Sequence, residues 1–345
     1  MTPADSPPSR SAAPPAPVAL DAMGGDRAPA EIVAGGRLAA EAGLPVLLVG
    51  PPDTLSGLDT GELPILAATE VIAMDEDPAR AVRTKKDSSL VRAAEAVRDG
   101  RAAAMVSAGN TGAAMASALL RMGRIRSVAR PAIATAIPGA KESPTVLLDS
   151  GANVECTPQM LVQFAQMGAV FATARYGTER PRVALLSNGE EATKGSPAVK
   201  EAHELLAAGL LDGRAEFVGN VEGRDLMTGT VDVVVTDGFT GNVALKTLEG
   251  GLRFFMRTLA GVLDSGPEAR SAAETLLPLL AAAAQRLDPD EVGGAMLLGV
   301  DGVCVIAHGA SSAKAVLNAV RVAHDLAAGG IVDRLRDAVA SAPAS

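Results

Sequence analysis

The chain has 345 residues, 48% hydrophobic and 21% charged, with a formal net charge of −9. That length suffices for one large core or two small ones, while the acidic balance, the lack of Trp and the 2% aromatic content exclude a general nucleic-acid binder that stacks bases. Cys156 and Cys304 are the only cysteines and lie in unrelated settings, so neither a disulfide framework nor a metal site is expected, and a reducing cytoplasm fits.

Residues 1–17, MTPADSPPSRSAAPPAP, have no apolar core and read as a disordered tail, not as a secretory signal. A single α/β catalytic domain is expected over 18–338, with 339–345 a second tail. The longest apolar run, LLPLLAAAA, falls far short of the roughly 20 residues that a membrane-spanning helix needs.

From Val18 a short apolar strand enters a Gly loop carrying Asp21, Gly24, Gly25 and Asp26, and an Ala-rich amphipathic helix follows over 30–42. A second strand is expected over 44–50, turns over 51–63, and a weaker strand over 65–72. After the acidic patch Asp75, Glu76 and Asp77, residues 79–100 read as one helix dense in Arg and Lys.

Strand, polar loop and helix then recur. Residues 102–123 place Ser107, Gly109, Asn110, Thr111 and Gly112 in the loop; 144–171 place Asp149 to Asn153 there, with Thr157 and Pro158 as cap and first turn. In 182–206 the loop holds Ser187, Lys194 and Gly195, and a short strand follows over 216–218. Residues 231–250 supply Asp237, Gly238, Thr240, Gly241 and Asn242, and 301–326 supply His308 and Ser311. Between them, 251–287 read as two helical stretches around a Ser-Gly-Pro turn, a hairpin protruding from the body.

Strands alternating with helices predict an α/β fold with a mainly parallel sheet covered on both faces. Loops that follow parallel strands gather at one sheet end, where helix N-termini leave N–H groups free for an anion. Six such loops of Gly, Ser, Thr, Asn and Asp are therefore expected to share one anion site. Within them, Asp149 and Asp237 suit loop-ordering hydrogen bonds better than proton transfer.

No G-x-G-x-x-G follows the first strand, and GEEATKGS at 189–196 misses the phosphate-loop pattern because Lys194 precedes Gly195. There is no G-x-S-x-G or H-E-x-x-H, so covalent and metal-assisted catalysis are not expected. His203 and His324 fall within helices and read as surface residues; His308 stands out because it ends a strand in a Gly-Ser loop. Arg80, Arg83, Lys85, Lys86 and Arg92, then Arg121, Arg124, Arg126 and Arg130, read either as solvated faces or as a docking patch for an acidic carrier or anionic lipid. Leu259, Val262, Leu263, Leu276 and Leu277 either pack on protein or form a membrane-surface tip.

Eight blocks resemble the bacterial phosphate acyltransferases of the PlsX type: DAMGGD (21–26), AVRTKKDSS (81–89), VSAGNTGA (106–113), LLDSGAN (147–153), FVGNVEGRDL (217–226), VVVTDGFTGNVALKTLEG (233–250), GGAMLLG (293–299) and AHGASSAKA (307–315). Ser150, Asn188 and Ser312 depart from the commonest pattern. The resemblance implies a three-layer α/β/α sandwich with a Rossmann-like sheet akin to phosphate acetyltransferases. It implies a homodimeric cytoplasmic enzyme, peripherally associated with the membrane, that converts acyl-[acyl carrier protein] and inorganic phosphate into acyl phosphate. That product would feed a membrane glycerol-3-phosphate acyltransferase in phospholipid synthesis. Lys194 and Asn242 are implied as catalytic residues, with no cofactor and no metal.

On that basis the 110–112 and 238–242 loops are expected to hold phosphate, Lys194 to offset its charge, and Asn242 to donate to the oxyanion, while Arg83, Lys85 and Lys86 receive the carrier. A phosphate acetyltransferase acting on a coenzyme A thioester and a non-catalytic phosphometabolite-binding regulator remain the alternatives.

Overall fold

The computed structural model describes residues 16–140, 143–211, 213–286 and 288–340. The expected N-terminal tail lies outside the described residues except for its last two positions. Eleven strands form one sheet: β1 Val18–Asp21, β2 Val46–Gly50, β3 Ile65–Ala67, β4 Ala104–Ser107, β5 Ala132–Ile137, β6 Thr145–Leu148, β7 Arg182–Leu186, β8 Glu216–Val221, β9 Val233–Val235, β10 Ala295–Leu298 and β11 Val303–Ile306. The helices are α1 Ala30–Glu41, α2 Pro52–Leu55, α3 Pro78–Thr84, α4 Ser89–Arg98, α5 Thr111–Arg121, α6 Pro158–Tyr176, α7 Pro197–Ala207, α8 Gly238–Leu263, α9 Pro267–Arg286, α10 Pro289–Val292, α11 Ala313–Ala328 and α12 Ile331–Ala340.

Alternation along the strands builds the three layers. Val18 and Leu20 of β1, with Val146 and Leu148 of β6, face a core shared with α1, α6, α7, α11 and α12. On the other face, Ala19 and Met105 pack on α3, α4 and α5, while Leu147 and Val234 pack beneath Ala244, Leu245 and Leu248 of α8. Phe164 and Leu148 are fully buried in the first core, and each such side chain stabilises the fold by about 1.5–3 kcal/mol.

The strand order is β3-β2-β1-β4-β11-β10-β5-β6-β9-β7-β8. Strands β1, β2, β3, β4 and β11 form one parallel block, and β6, β9, β7 and β8 form another. Between them β10 runs against β11 and β5, and β5 runs against β6. The two blocks therefore point in opposite directions, which corrects the expectation of six loops at one sheet end. Strands β5 and β10 are short Ala-rich or Gly-bounded segments that fall outside the strand–loop–helix pattern, because each runs into another strand, β6 and β11 respectively.

Three further boundaries differ. Residues 79–100 are two helices, because Lys85 leaves helical geometry and its Nζ turns back to the Val71 carbonyl (2.7 Å) and Glu76 (2.5 Å). The hairpin's first arm begins at Gly238, since α8 continues unbroken to Leu263 across Gly250 and Gly251. Helix α12 runs to Ala340 and buries Val339, so the C-terminal tail does not start at 339.

No single helix among the described residues is long and apolar enough to cross a membrane; one bent pair, Ala313–Ala328 with Ile331–Val339, passes by length and composition. Val316, Val320, Leu326, Ile331 and Leu335 of that pair are buried in the first core.

Candidate active site

The polar loops form two groups. Loops after β1, β4 and β11, three adjacent strands, bring together Asp21, Gly24, Gly25, Asp26, Ser107, Gly109, Asn110, Thr111, Gly112, His308 and Ser311. Loops after β6, β9 and β7, also adjacent, bring together Asp149, Asn153, Asp237, Gly238, Thr240, Gly241, Asn242, Lys194 and Gly195 at the opposite end.

The first group is knitted by its own hydrogen bonds. Asp21 is 1% exposed and accepts from the Ser107 hydroxyl (2.7 Å) and Met23 N–H (3.2 Å). Burial pushes its carboxyl above the usual aspartate range, against the hydrogen bonds from Ser107, Ser89, Met23 and Gly24. Gly24 is required here, because a Cβ would stand 2.6 Å from Asp21 Oδ2 and 2.7 Å from Gly109 N. The Asp26 N–H donates to the Gly309 carbonyl (2.8 Å), tying the first loop to the last.

Asn110 caps α5 by accepting from Ala113 N–H (3.0 Å), and its amide donates to the carbonyls of Met74 (2.9 Å) and Glu76 (3.2 Å). Pro78 packs against Gly112, where a Cβ would come within 2.6 Å of Pro78 Cγ. The 73–78 segment thus covers the helix end that was expected to cradle phosphate. Thr111 and His308 are exposed; His308 Nδ1 accepts from Ala310 N–H (3.2 Å), and the buried Ser311 donates to the His308 carbonyl (2.6 Å). This group holds three loops together by hydrogen bonds within itself.

The second group is built on Asp149, which is fully buried. Its carboxylate accepts from the N–H groups of Ile133 (3.0 Å), Gly151 (3.1 Å), Ala152 (2.9 Å) and Asn153 (2.7 Å), and from Asn153 Nδ2 (2.9 Å). Asn153 also donates to the Pro131 carbonyl (2.8 Å), so the loop is pinned to the start of β5. The Gly238 N–H then donates to the Asn153 carbonyl (2.7 Å), which seats α8 on the loop. Asp237 caps α8, accepting from Thr240 N–H (2.7 Å) and Oγ1 (2.8 Å).

One residue beyond Gly241, Asn242 is exposed on the first turn of α8. It faces Gly151, whose backbone has a φ of +149°; a Cβ built there would meet the Cβ and Cγ of Asn242 at 4.0 Å. In the loop after neighbouring β7, Lys194 is exposed with its stem over Gly189, and it makes no ion pair among the described residues. Its loop is held by Gly195 N–H to Asn188 Oδ1 (2.9 Å), Lys194 N–H to the Glu191 carbonyl (2.9 Å) and Asn220 Nδ2 to that same carbonyl (2.9 Å). Here an amide, a lone cation and an ordered Gly loop share one edge, a setting that suits an anionic nucleophile approaching a carbonyl.

Gly151 and Asn220 are not singled out from sequence, and Asn188 stands out there only as a departure from the family pattern. Gly151 and Asn220 do lie inside the SGAN and GNVEG blocks, where a Gly beside an Asn signals a special turn. Cys156 sits close by, yet burial, then the carboxylates of Asp149 and Asp237, push its thiol up to about 12, so it stays protonated and is no nucleophile.

Two surface expectations change. Lys85 is half-buried and engaged with Glu76, while Arg83 and Lys86 are exposed. In the hairpin, Leu259 and Leu263 are half-buried, and the side chain of Leu277 lies outside the described residues. Beyond Phe239 and Val243 at the base of α8, the exposed large apolar positions among the described residues of the hairpin are Phe254 (72%), Phe255, Met256, Val262 (59%) and Leu276 (45%).

The family described as fatty acid synthesis protein matches residues 16–334. A phosphate acyltransferase of Anaeromyxobacter dehalogenans is 48% identical over 332 residues, covering 94% of this chain and 91% of the relative. One of Heliobacterium modesticaldum is 50% identical over 314 residues, covering 89% and 92%. Among solved structures, a phosphotransacetylase from Streptococcus pyogenes superposes with a TM-score of 0.60 at 16% identity, covering 91% of this chain and 94% of that one. The EutD phosphotransacetylase of Staphylococcus aureus gives 0.57 at 16%, covering 90% and 94%.

Proposed function

Because the chain belongs to the fatty acid synthesis protein family, whose relatives are phosphate acyltransferases, we propose that it moves a fatty-acyl group from the thioester of an acyl carrier protein to inorganic phosphate. Acyl transfer to phosphate is its reaction; the carrier as donor, the residues and the assembly are our reading. The observation that carries the site assignment is the pairing, at one sheet end, of the exposed Lys194 cation with Asn242 facing Gly151.

In this reading a hydrogenphosphate oxygen attacks the thioester carbonyl, a C–O bond forms, and the C–S bond breaks. The thiolate leaves with the electron pair and ends as the thiol by taking the proton that phosphate carried. The products are acyl phosphate and free carrier. Lys194 offsets the phosphate charge as it nears the carbonyl, and the Asn242 amide donates to the oxyanion in the transition state. No protein nucleophile takes part, in keeping with the high thiol pKa of Cys156.

Two basic surfaces suit an acidic carrier. Arg83 and Lys86 lie beside the covered N-terminus of α5, at the first group of loops. Arg126 and Arg130 are exposed next to Pro131, whose carbonyl holds Asn153 in the second group. We place the carrier on the latter because it adjoins Lys194's end of the sheet. Phosphate is the acceptor, two copies form the active assembly, and the exposed apolar hairpin surface rests on the cytoplasmic membrane leaflet. There the product passes to a membrane glycerol-3-phosphate acyltransferase.

A coenzyme A thioester is the competing donor, and likeness of fold to the phosphotransacetylases favours it. Comparing kcat/KM for long-chain acyl carrier protein and the matching acyl-coenzyme A, each with phosphate, separates the two. The carrier should be preferred at least tenfold, about 1.4 kcal/mol of discrimination; equal or reversed preference would move the reading to the coenzyme A donor.

A further inference from the structure

We infer that Asp149 is a positioning residue for Asn242: its carboxylate closes the 149–153 loop and so sets where the start of α8 holds the Asn242 amide. The inference rests on the reading that Asn242 acts on the thioester carbonyl. Five N–H donors converge on the one carboxylate, four from main chain and one from Asn153. A carboxylate accepts at both oxygens, whereas an Asn would replace one acceptor with an N–H₂ pointing at further donors.

The loop in turn seats α8 from two sides. The Asn153 carbonyl takes the Gly238 N–H at 2.7 Å. The Asp149 main-chain oxygen underlies Gly241, where a Cβ would stand 1.9 Å away, so the helix turn that presents Asn242 rests directly on residue 149. Gly151, two residues along, faces Asn242 so closely that a Cβ there would reach it at 4.0 Å. If the carboxylate is lost, the three N–H groups of 151–153 lose their common acceptor and the loop on which α8 rests shifts, carrying Asn242 with it. Asp149 touches no reacting atom in this scheme; it acts through Asn242.

The test is a double-mutant cycle with acyl phosphate as readout. Asp149→Asn should lower kcat about 100-fold, as misplacement by about 1 Å does, with the KM for phosphate changed less than about threefold. In the Asn242→Ala background the same substitution should cost less than about threefold more, since the group being positioned is gone. Full, additive losses in both backgrounds, or wild-type kcat in Asp149→Asn, would overturn the assignment.

Should Asp149→Asn not fold, Asn153→Ala, which removes one of the five donors, takes its place in the cycle with the same non-additivity expected. A readout independent of turnover is the Asn242 side-chain amide resonance, which should move in Asp149→Asn; an unmoved resonance in a folded variant contradicts the proposal. Wild-type enzyme that made no acyl phosphate would sink the reading of the reaction instead, and the amide resonance would still decide the positioning.

Discussion

The main-chain oxygen of Asp149 lies so close beneath Gly241 that a Cβ there would stand 1.9 Å from it. No rotamer change relieves a clash with backbone, so Gly241→Ala must push α8 off its seat. Overpacking of this kind costs about 1–3 kcal/mol, and the upper end is expected here. Urea denaturation should show a lower midpoint, accompanied by loss of acyl transfer; an unchanged midpoint would mean that α8 is not held at its first turn.

Carrier docking is tested by charge reversal. Arg126→Glu with Arg130→Glu should raise the KM for the acyl carrier and flatten its salt dependence, with the KM for phosphate unaltered. Reversal at Arg83 and Lys86 should do much less, since those residues flank the other end of the sheet. The opposite pattern would place the carrier on the α3–α4 surface.

For membrane contact the exposed residue is Val262, and Leu263 is turned partly inward. Val262→Glu should abolish co-sedimentation with liposomes containing anionic lipid while leaving the melting temperature within a degree or two, roughly the scale of a neutral surface substitution. Retained sedimentation would assign the apolar surface to protein packing instead.

Asp21 carries a pH signature. Its folded carboxyl titrates above the 3.8 of the unfolded chain because of burial, so the folded state binds more protons between those two values. Stability from this group therefore falls as pH rises through that window and stays lower above it. The melting temperature of wild type minus that of Asp21→Asn should be largest at and below the unfolded value of 3.8 and decline as pH rises through the raised folded value. Parallel curves would mean that Asp21 is not perturbed in the fold.

Much of this architecture was legible because its chemistry is local. A β-branched run followed by a Gly-rich polar loop and a helical apolar spacing marks strand and helix within one short stretch, but the cap is Asp237, not Thr240 or Asn242 as turn chemistry alone suggests. The loop-ordering role of Asp149 followed from the same Asx chemistry. Strand direction is not local. It turns on β5 and β10, each of which runs into another strand and not a helix, and their antiparallel insertion divides six similar loops into two groups. Nor could local reading foresee that Met74, Glu76 and Pro78 would cover Asn110 and Gly112, or that Lys85 would pair with Glu76; these contacts form only when distant segments meet.

The central claim is that phosphate attacks a carrier-bound thioester beside Lys194 and Asn242. It is tested most directly by incubating the protein with long-chain acyl carrier protein and phosphate and trapping acyl phosphate with hydroxylamine. The account predicts phosphate-dependent acyl hydroxamate from wild type, and a rate about 10²- to 10³-fold lower in Asn242→Ala, with a comparable loss in Lys194→Ala. Near wild-type turnover in both variants, with both folded, would contradict it.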